Sequence, residues 1–247
     1  MRDITILILA AGKGTRMMHE SLPKVLVQLC GKPLLEYVLE TSQKINPAKI
    51  IAIVGYLKET IFDFCETKYP NVQFAIQEQQ LGTGHAISQA EGLLKEFSGD
   101  VLILAGDVPL ITVSTIEKFI SAHTLDGNTL SVLSTKAVNP FGYGRIVRDE
   151  DCSFLKIVEQ KDADETEKAI QEINSGVYLV KSDKLFYALR QLKNNNSQGE
   201  FYLTDIVQIL RNESYKTSAY CLAEFAELQG INSKEDLLKV ADFLKKI

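Results

Sequence analysis

Cysteine and histidine are scarce in this chain, with four of the first and three of the second among 247 residues. Cys30, Cys65, Cys152 and Cys221 lie far apart with no C-x-x-C pair, so neither a zinc-ligand spacing nor a disulfide framework is present. His19, His85 and His123 form no ligand spacing either, and the sequence gives them no catalytic role. Excess positive charge is also missing. With 27 Lys and Arg against 32 Asp and Glu the net charge is -5, which argues against a protein that coats nucleic acid, because neutralising phosphates takes a broad basic face. Any phosphate site must therefore be local. No apolar run approaches the roughly 20 residues of a membrane-spanning helix. The stretch Ile4 to Ala11 imitates a signal-peptide core, but Asp3 before it and Gly12-Lys13-Gly14-Thr15-Arg16 after it are the wrong flanks. A cytoplasmic protein with no membrane partner is expected.

Linkers, low-complexity tracts and internal repeats are absent as well. What is there is a chain 45% hydrophobic and 24% charged, able to bury a full core. Short β-branched runs, Ile4-Leu9, Ile50-Val54, Val72-Ile76 and Val101-Leu104, read as buried parallel strands. Pro33-Lys44, Lys58-Lys68, Thr83-Phe97 and Ser114-His123 read as the helices between them. This order predicts an open α/β sheet covered on both faces, with ligands beyond the carboxyl ends of its strands. From Thr129 the rhythm changes: Leu130-Val138, Tyr143-Arg148, Phe154-Gln160 and Ile173-Val180 read as a mixed extension of the same sheet. Ser182-Leu192 and Thr204-Leu210 read as helices, the second capped by Thr204. Ser233-Lys234-Glu235-Asp236 is an N-cap signature opening a last helix to Ile247. Two units follow from this: a domain over 1–232 and a C-terminal helix over 233–247.

The loop Leu9-Ala10-Ala11-Gly12-Lys13-Gly14-Thr15-Arg16 leaves the first strand directly, and Lys24 follows Pro23. Small residues let backbone N–H groups close around a phosphate, and Lys13, Arg16 and Lys24 add positive charge. It is neither a dinucleotide fingerprint nor a Walker loop, because Met17 stands where both patterns need glycine. Asp107 comes just after another buried strand, which puts a carboxylate next to that glycine loop. A hard cation there would be oxygen-ligated, which suits Mg2+.

These residues carry a resemblance. Leu9-Ala10-Ala11-Gly12-x-Gly14-Thr15-Arg16-Met17 with Pro23-Lys24-Val25-Leu26 resembles the signature of sugar-nucleotide pyrophosphorylases. Gln80-Leu81-Gly82-Thr83-Gly84-His85-Ala86, Gly106-Asp107-Val108-Pro109-Leu110, Gly142-Tyr143-Gly144-Arg145-Ile146, Val158-Glu159-Gln160-Lys161, Glu172-Ile173-Asn174-Ser175-Gly176 and Gly199-Glu200-Phe201-Tyr202-Leu203-Thr204-Asp205 narrow it. Together they are similar to the uridylyltransferase half of the bacterial bifunctional N-acetylglucosamine-1-phosphate uridylyltransferase/glucosamine-1-phosphate acetyltransferases, in order from about Ile4 to Asn232.

The resemblance implies a Rossmann-like nucleotidyltransferase fold of GT-A type, a mainly parallel mixed sheet flanked by helices. It implies transfer of a uridylyl group from UTP to N-acetylglucosamine 1-phosphate, in a precursor pathway of peptidoglycan. Leu9, Ala10, Gly12, Gly14 and Thr15 would cradle phosphates, and Gln77, Gln80, Gly82 and Thr83 would hold the uracil. Taken without the resemblance, the two glutamines read as loop polars. Gly144, Glu159 and Asn174 would bind the sugar, with Tyr202 and Thr204 lining its pocket. Asp107 and Asn232 would ligate Mg2+, and Arg16 and Lys24, with Lys13 nearby, would stabilise charge on the reacting phosphates. One departure is Ala105, which stands where some members carry Tyr, so a contact to the N-acetyl group from that position is lost here. No hexapeptide period is found, so acetyl transfer and the family's trimer-forming element are not expected, and a monomer or weak dimer is. Two alternatives stay open: another hexose 1-phosphate as acceptor, and a catalytically silent nucleotide-sugar sensor.

Overall fold

The computed structural model describes residues 3–14 and 22–245. In chain order the elements are β1 (Ile4–Ala10), a small hairpin of β2 (Gln28–Leu29) and β3 (Lys32–Pro33), α1 (Leu34–Lys44), β4 (Lys49–Val54), α2 (Lys58–Lys68), β5 (Gln73–Ile76), α3 (Thr83–Ser88), β6 (Asp100–Ala105) and α4 (Val113–Asp126). The second half adds β7 (Leu130–Lys136), β8 (Arg145–Arg148), β9 (Phe154–Val158), α5 (Glu165–Lys168), β10 (Glu172–Lys181), α6 (Ser182–Leu189), α7 (Asp205–Asn212), β11 (Thr217–Cys221), α8 (Phe225–Leu228) and α9 (Lys234–Leu244).

The main sheet runs β11-β7-β10-β6-β1-β4-β5, with the β8–β9 pair attached through Ile173 and Arg145. β6, β1, β4 and β5 are parallel, whereas β10 runs antiparallel between β6 and β7. Central strands must be apolar on both faces, and these are. Leu7, Ile51, Ile53, Val101 and Ile103 pack under α3, α6 and α7. The alternate residues Ile6, Ile8, Ala52, Val54, Leu102 and Leu104 pack under α1, α2 and α4. Each such side chain buried contributes roughly 1.5–3 kcal/mol, so the three-layer stack follows from the β-branched runs themselves.

Register then sets the position of the site. Ala10 lies opposite Val54, Val54 opposite Ile76, and Leu9 opposite Ala105, so the four parallel strands end level with one another. The loops 11–14, 55–57, 77–82 and 106–108 therefore open at one rim, where a parallel sheet accepts ligands. α9 docks on a separate small core of Val27, Leu29, Leu34, Ile231 and Val240. Ser233 caps it, accepting from the Asp236 N–H at 3.1 Å, and the Asp236 carboxylate in turn accepts from the Asn232 N–H at 3.0 Å. Among the described residues no helix is long and apolar enough to cross a membrane.

Three expectations need correction. The predicted helix over 83–97 is α3 followed by a 3-10 turn at Glu91–Leu94, because Gly92 weakens a helix by about 1 kcal/mol and turns of either kind satisfy the apolar spacing. Thr204 does not cap α7 with its side chain: its hydroxyl donates to Glu159 Oε1 at 3.3 Å instead. The last helix ends at Leu244, and Ile247 lies outside the described residues. β2, β3, α5, α8 and β11 were not foreseen.

Candidate active site

Beyond the parallel strand ends lies a cleft of about 360 Å³. Leu9, Ala10, Ala11 and Gly12 form one wall, directly off β1. Their loop is tied to its neighbours, since Tyr56 N–H donates to the Ala11 carbonyl at 3.3 Å and Gly106 N–H to that of Leu9 at 3.0 Å. Gly12 opens onto the cleft, and a Cβ there would meet no described atom within 4 Å. Gly14 has φ +60, and a Cβ on it would fall 2.5 Å from Lys24 Cβ, so only glycine lets the lysine pass. Lys13 is exposed and does not line the cleft. Thr15 and Arg16 lie outside the described residues.

Among the described residues, Lys24 is the cation that lines the cleft. It sits in a 3-10 turn whose Val25 and Leu26 are buried, which aims Lys24 across the rim. Its ammonium pairs with Asp107 Oδ2 and donates to Asn232 Oδ1 at 2.7 Å. The two oxygens come from distant parts of the chain. They are joined by the backbone: Ile231 N–H donates to the Asp107 carbonyl at 2.9 Å, and a Cβ on Gly230 would lie 3.8 Å from Asp107 Oδ2. Helix capping, the ordinary use of an Asn before a helix, is done by Ser233, which leaves the Asn232 oxygen for this cluster. A carboxylate and an amide oxygen already held around a positive charge form a hard-oxygen donor pair, and that chemistry fits Mg2+.

Gln77, Gln80, Gly82 and Thr83 line the opposite side of the cleft. Gln77 is 3% exposed, its N–H pairs with the Val54 carbonyl at 2.8 Å, and its side-chain nitrogen donates to the Gly82 carbonyl at 3.0 Å. Gly82 adopts φ +110 with the Phe201 carbonyl 2.6 Å from where a Cβ would be, so the segment 200–203 seals this end. Thr83 contributes to that seal, its Oγ1 accepting from the Leu203 N–H at 3.0 Å. Glu200 and Val25 also line the cleft and were not singled out from the sequence. Both lie inside quoted motifs, which is where a signal for them existed.

The five residues expected around a sugar gather only in part. A Cβ on Gly144 would lie 3.5 Å from Asn174 Cβ and 3.6 Å from Glu159 Oε1, so these three meet at one point. Thr204 joins through Glu159. Tyr202 turns its hydroxyl to Asp162 Oδ2 at 3.1 Å, and with Glu159 and Thr204 it lines a neighbouring concavity rather than the cleft. Asn174 closes a bulge in β10, its Oδ1 accepting from the Gly176 N–H at 3.0 Å while its Nδ2 donates to the Tyr178 hydroxyl at 2.8 Å. The cleft and this group touch at Ala105, whose Cβ is 3.8 Å from a Cβ built on Gly176. Desolvation pushes the Glu159 carboxyl above its ordinary range, with Asp205, Asp162 and Glu200 adding to the rise and the Thr204 hydroxyl opposing it. Burial likewise raises Asp205, helped by Asp162.

Comparison with known proteins follows the same outline. A family model described as nucleotidyl transferase matches residues 5–237. The bifunctional protein GlmU of Lactobacillus delbrueckii subsp. bulgaricus is 44% identical over 241 residues, covering 98% of this chain and 51% of that protein. The bifunctional protein GlmU of Thermoanaerobacter pseudethanolicus is 44% identical over 246 residues, covering 100% of this chain and 52% of that one. The chain thus spans about half the length of the curated relatives it matches. Among solved structures, a UDP-glucose pyrophosphorylase complexed with UDP-glucose superposes with a TM-score of 0.81 at 19% identity, covering 99% of each chain, a likeness of fold.

Proposed function

The chain belongs to the nucleotidyl transferase family, and from that premise we propose that it transfers a uridylyl group from UTP to N-acetylglucosamine 1-phosphate, releasing pyrophosphate. The observation that carries this reading is the meeting of Lys24, Asp107 and Asn232 at the cleft that Gly12 also lines, with Ala105 in the same cleft beside the bulge of Asn174 and Gly176. A nucleotide in the cleft and a sugar phosphate beside Ala105 would bring their phosphates together at that point.

The chemistry is phosphoryl-centred substitution: a phosphate oxygen of the sugar phosphate forms a bond to the α-phosphorus of UTP, and the bond from that phosphorus to the bridging oxygen of pyrophosphate breaks. No general base is needed, because a phosphate monoester is already largely ionised near neutrality. The residues act by placing groups and by meeting charge. The open backbone at Gly12 gives the triphosphate room, Lys24 sets a positive charge beside the reacting phosphates, and Glu159 accepts from sugar hydroxyls. Asp107 and Asn232 would hold Mg2+, which when bound neutralises charge on both phosphates. We place Arg16 with Lys24 in this role on the strength of the sequence pattern, Lys13 at its margin, and Gly14 and Thr15 in the phosphate loop.

Pyrophosphate release in magnesium, against a matrix of four nucleoside triphosphates and several sugar 1-phosphates, tests the reading. Highest kcat/KM for UTP with N-acetylglucosamine 1-phosphate is expected, and saturable binding with no turnover would refute it. Ala105 favours one second reading. With a methyl beside Gly176 in place of an aromatic ring, a plain hexose 1-phosphate fits the same space, and glucose 1-phosphate outrunning the N-acetylated sugar would establish that alternative. The cytoplasm supplies both substrates, and a monomer or weak dimer in sedimentation is expected.

A further inference from the structure

Gln77 is held by more than its own loop. The same side-chain nitrogen that donates to the Gly82 carbonyl lies 3.1 Å from His85 Nδ1, one turn into α3. A carbonyl oxygen only accepts, so the group facing Gly82 is the NH2, and the amide orientation is settled by that partner. The histidine ring must then receive the second amide hydrogen at Nδ1, which requires a bare Nδ1 and a protonated Nε2. A competing demand comes from Gln89, whose side-chain nitrogen lies 3.3 Å from His85 Nε2. A neutral imidazole has one acceptor nitrogen and cannot serve both amides. Gln89 has other acceptors, the His85 carbonyl at 2.9 Å and Ser88 Oγ at 3.2 Å, whereas the second amide hydrogen of the buried Gln77 has no acceptor besides Nδ1 among the described residues. The tautomer is therefore fixed by the surroundings.

Resting on the uridylyl reading above, we propose that His85 is a positioning residue for base selection. By taking the second amide hydrogen of Gln77 it leaves Oε1 as the only group Gln77 offers to the cleft. An oxygen that can only accept matches the N3–H of uracil. Cytosine presents a lone pair at N3, so the same oxygen repels it. Turning the amide over would set Oε1 against the Gly82 carbonyl and against bare Nδ1, two acceptor-acceptor clashes, and His85 supplies one of them. This gives the histidine of the Gly82-Thr83-Gly84-His85 turn a task that neither its spacing nor its place on α3 suggested.

The test is the ratio of kcat/KM for UTP to that for CTP. His85→Leu is expected to lower it by roughly three- to tenfold, the worth of one hydrogen bond, through the KM for nucleotide and with the KM for sugar phosphate unchanged. His85→Asn, whose Oδ1 falls near the place of Nδ1, should restore the ratio to within about twofold, since it keeps that hydrogen bond. In a Gln77→Ala background His85→Leu should change the ratio no further. An unchanged ratio in His85→Leu, or an equal loss in the Gln77→Ala background, would overturn the proposal. The imidazole 15N spectrum of the wild-type protein gives an answer that needs no variant to fold: bare Nδ1 supports the assignment, protonated Nδ1 sinks it. Wild-type protein with no preference for UTP would overturn the uridylyl reading itself, before any substitution is made.

Discussion

One ammonium group, that of Lys24, holds together two oxygens from distant parts of the chain, and the proposed chemistry turns on that cluster. Asp107→Asn changes one atom and removes the charge, so kcat should fall by roughly 10²–10³ while the fold survives. Asn232→Ala should cost less, because water can replace a neutral oxygen ligand of magnesium. Measuring kcat against magnesium concentration for the three proteins checks this, and near-wild-type magnesium dependence in Asp107→Asn would remove the metal assignment. A second prediction concerns Glu159. In the proposed role its ionised form accepts from the sugar, and kcat/KM for sugar phosphate should then fall as pH drops through its raised value. Thr204→Val deletes the hydroxyl that opposes the rise and should move that acid limb to higher pH. A limb that stays in place would mean Thr204 does not act on Glu159. At this scale the sequence was readable where a residue follows a buried strand or a tight turn at the rim, as at Asp107 and Lys24, which meet there. Asn174 was reached only through the resemblance, because a side chain that shapes a bulge through Gly176 and Tyr178 looks like any strand polar residue.

Among the elements, β10 is the one whose irregularity matters. Its register with β7 jumps between Asn174 and Val177, and Gly176 makes the jump at φ +81. An alanine there meets no clash but must adopt the left-handed region, which costs about 1–2 kcal/mol. Gly176→Ala should lower the melting temperature by a few degrees and raise the KM for sugar phosphate more than that for UTP, since it is Asn174 that the bulge orients. Equal rises in both KM values would separate the bulge from the sugar. Elements built on dense apolar runs were legible: β1, β4 and β6 match their predicted strands to within a residue or so at each end. β11 was not, because Thr217–Cys221 is a half-buried edge strand with no run of aliphatic residues, and it is ordered by pairing with β7. α5 escaped for a different reason: its capping box, Asp164 with Glu167, opens a single turn too short to show apolar periodicity.

For the whole molecule, the three-layer fold and the mixed extension of its sheet beyond Thr129 could be inferred from strand and helix order, but the side chains that fasten that extension could not. Part of that fastening is polar. Arg148 on β8 reaches Glu172 on β10 at 2.7 and 2.8 Å and the Ala219 carbonyl on β11 at 2.9 Å, so one guanidinium ties three strands. Burial alone would raise the Glu172 carboxyl, but the bonds from Arg148 and Ser134 outweigh it and hold it below its ordinary 4.5. A lowered carboxylate gives stability that is complete above that ordinary value and is lost as pH falls through the folded one. Glu172→Gln should therefore destabilise by roughly 1.5–3 kcal/mol near neutrality, and the gap to wild type should close in acid below about pH 4. Denaturant melts at several pH values measure it, and a gap independent of pH would contradict the charge-based account. The seat of Asn232 has a consequence for the chain as a made object. The sheet that carries Lys24 and Asp107 is complete by Cys221, yet the amide oxygen that finishes their cluster is set only once Ser233, Asp236 and the turns of α9 have docked on Val27 and Leu29. A molecule cleaved ahead of Ser233 would therefore keep its cleft and lose the amide partner of Lys24, and under the proposed chemistry its slowed turnover would register the undocking of a helix that never touches the cleft.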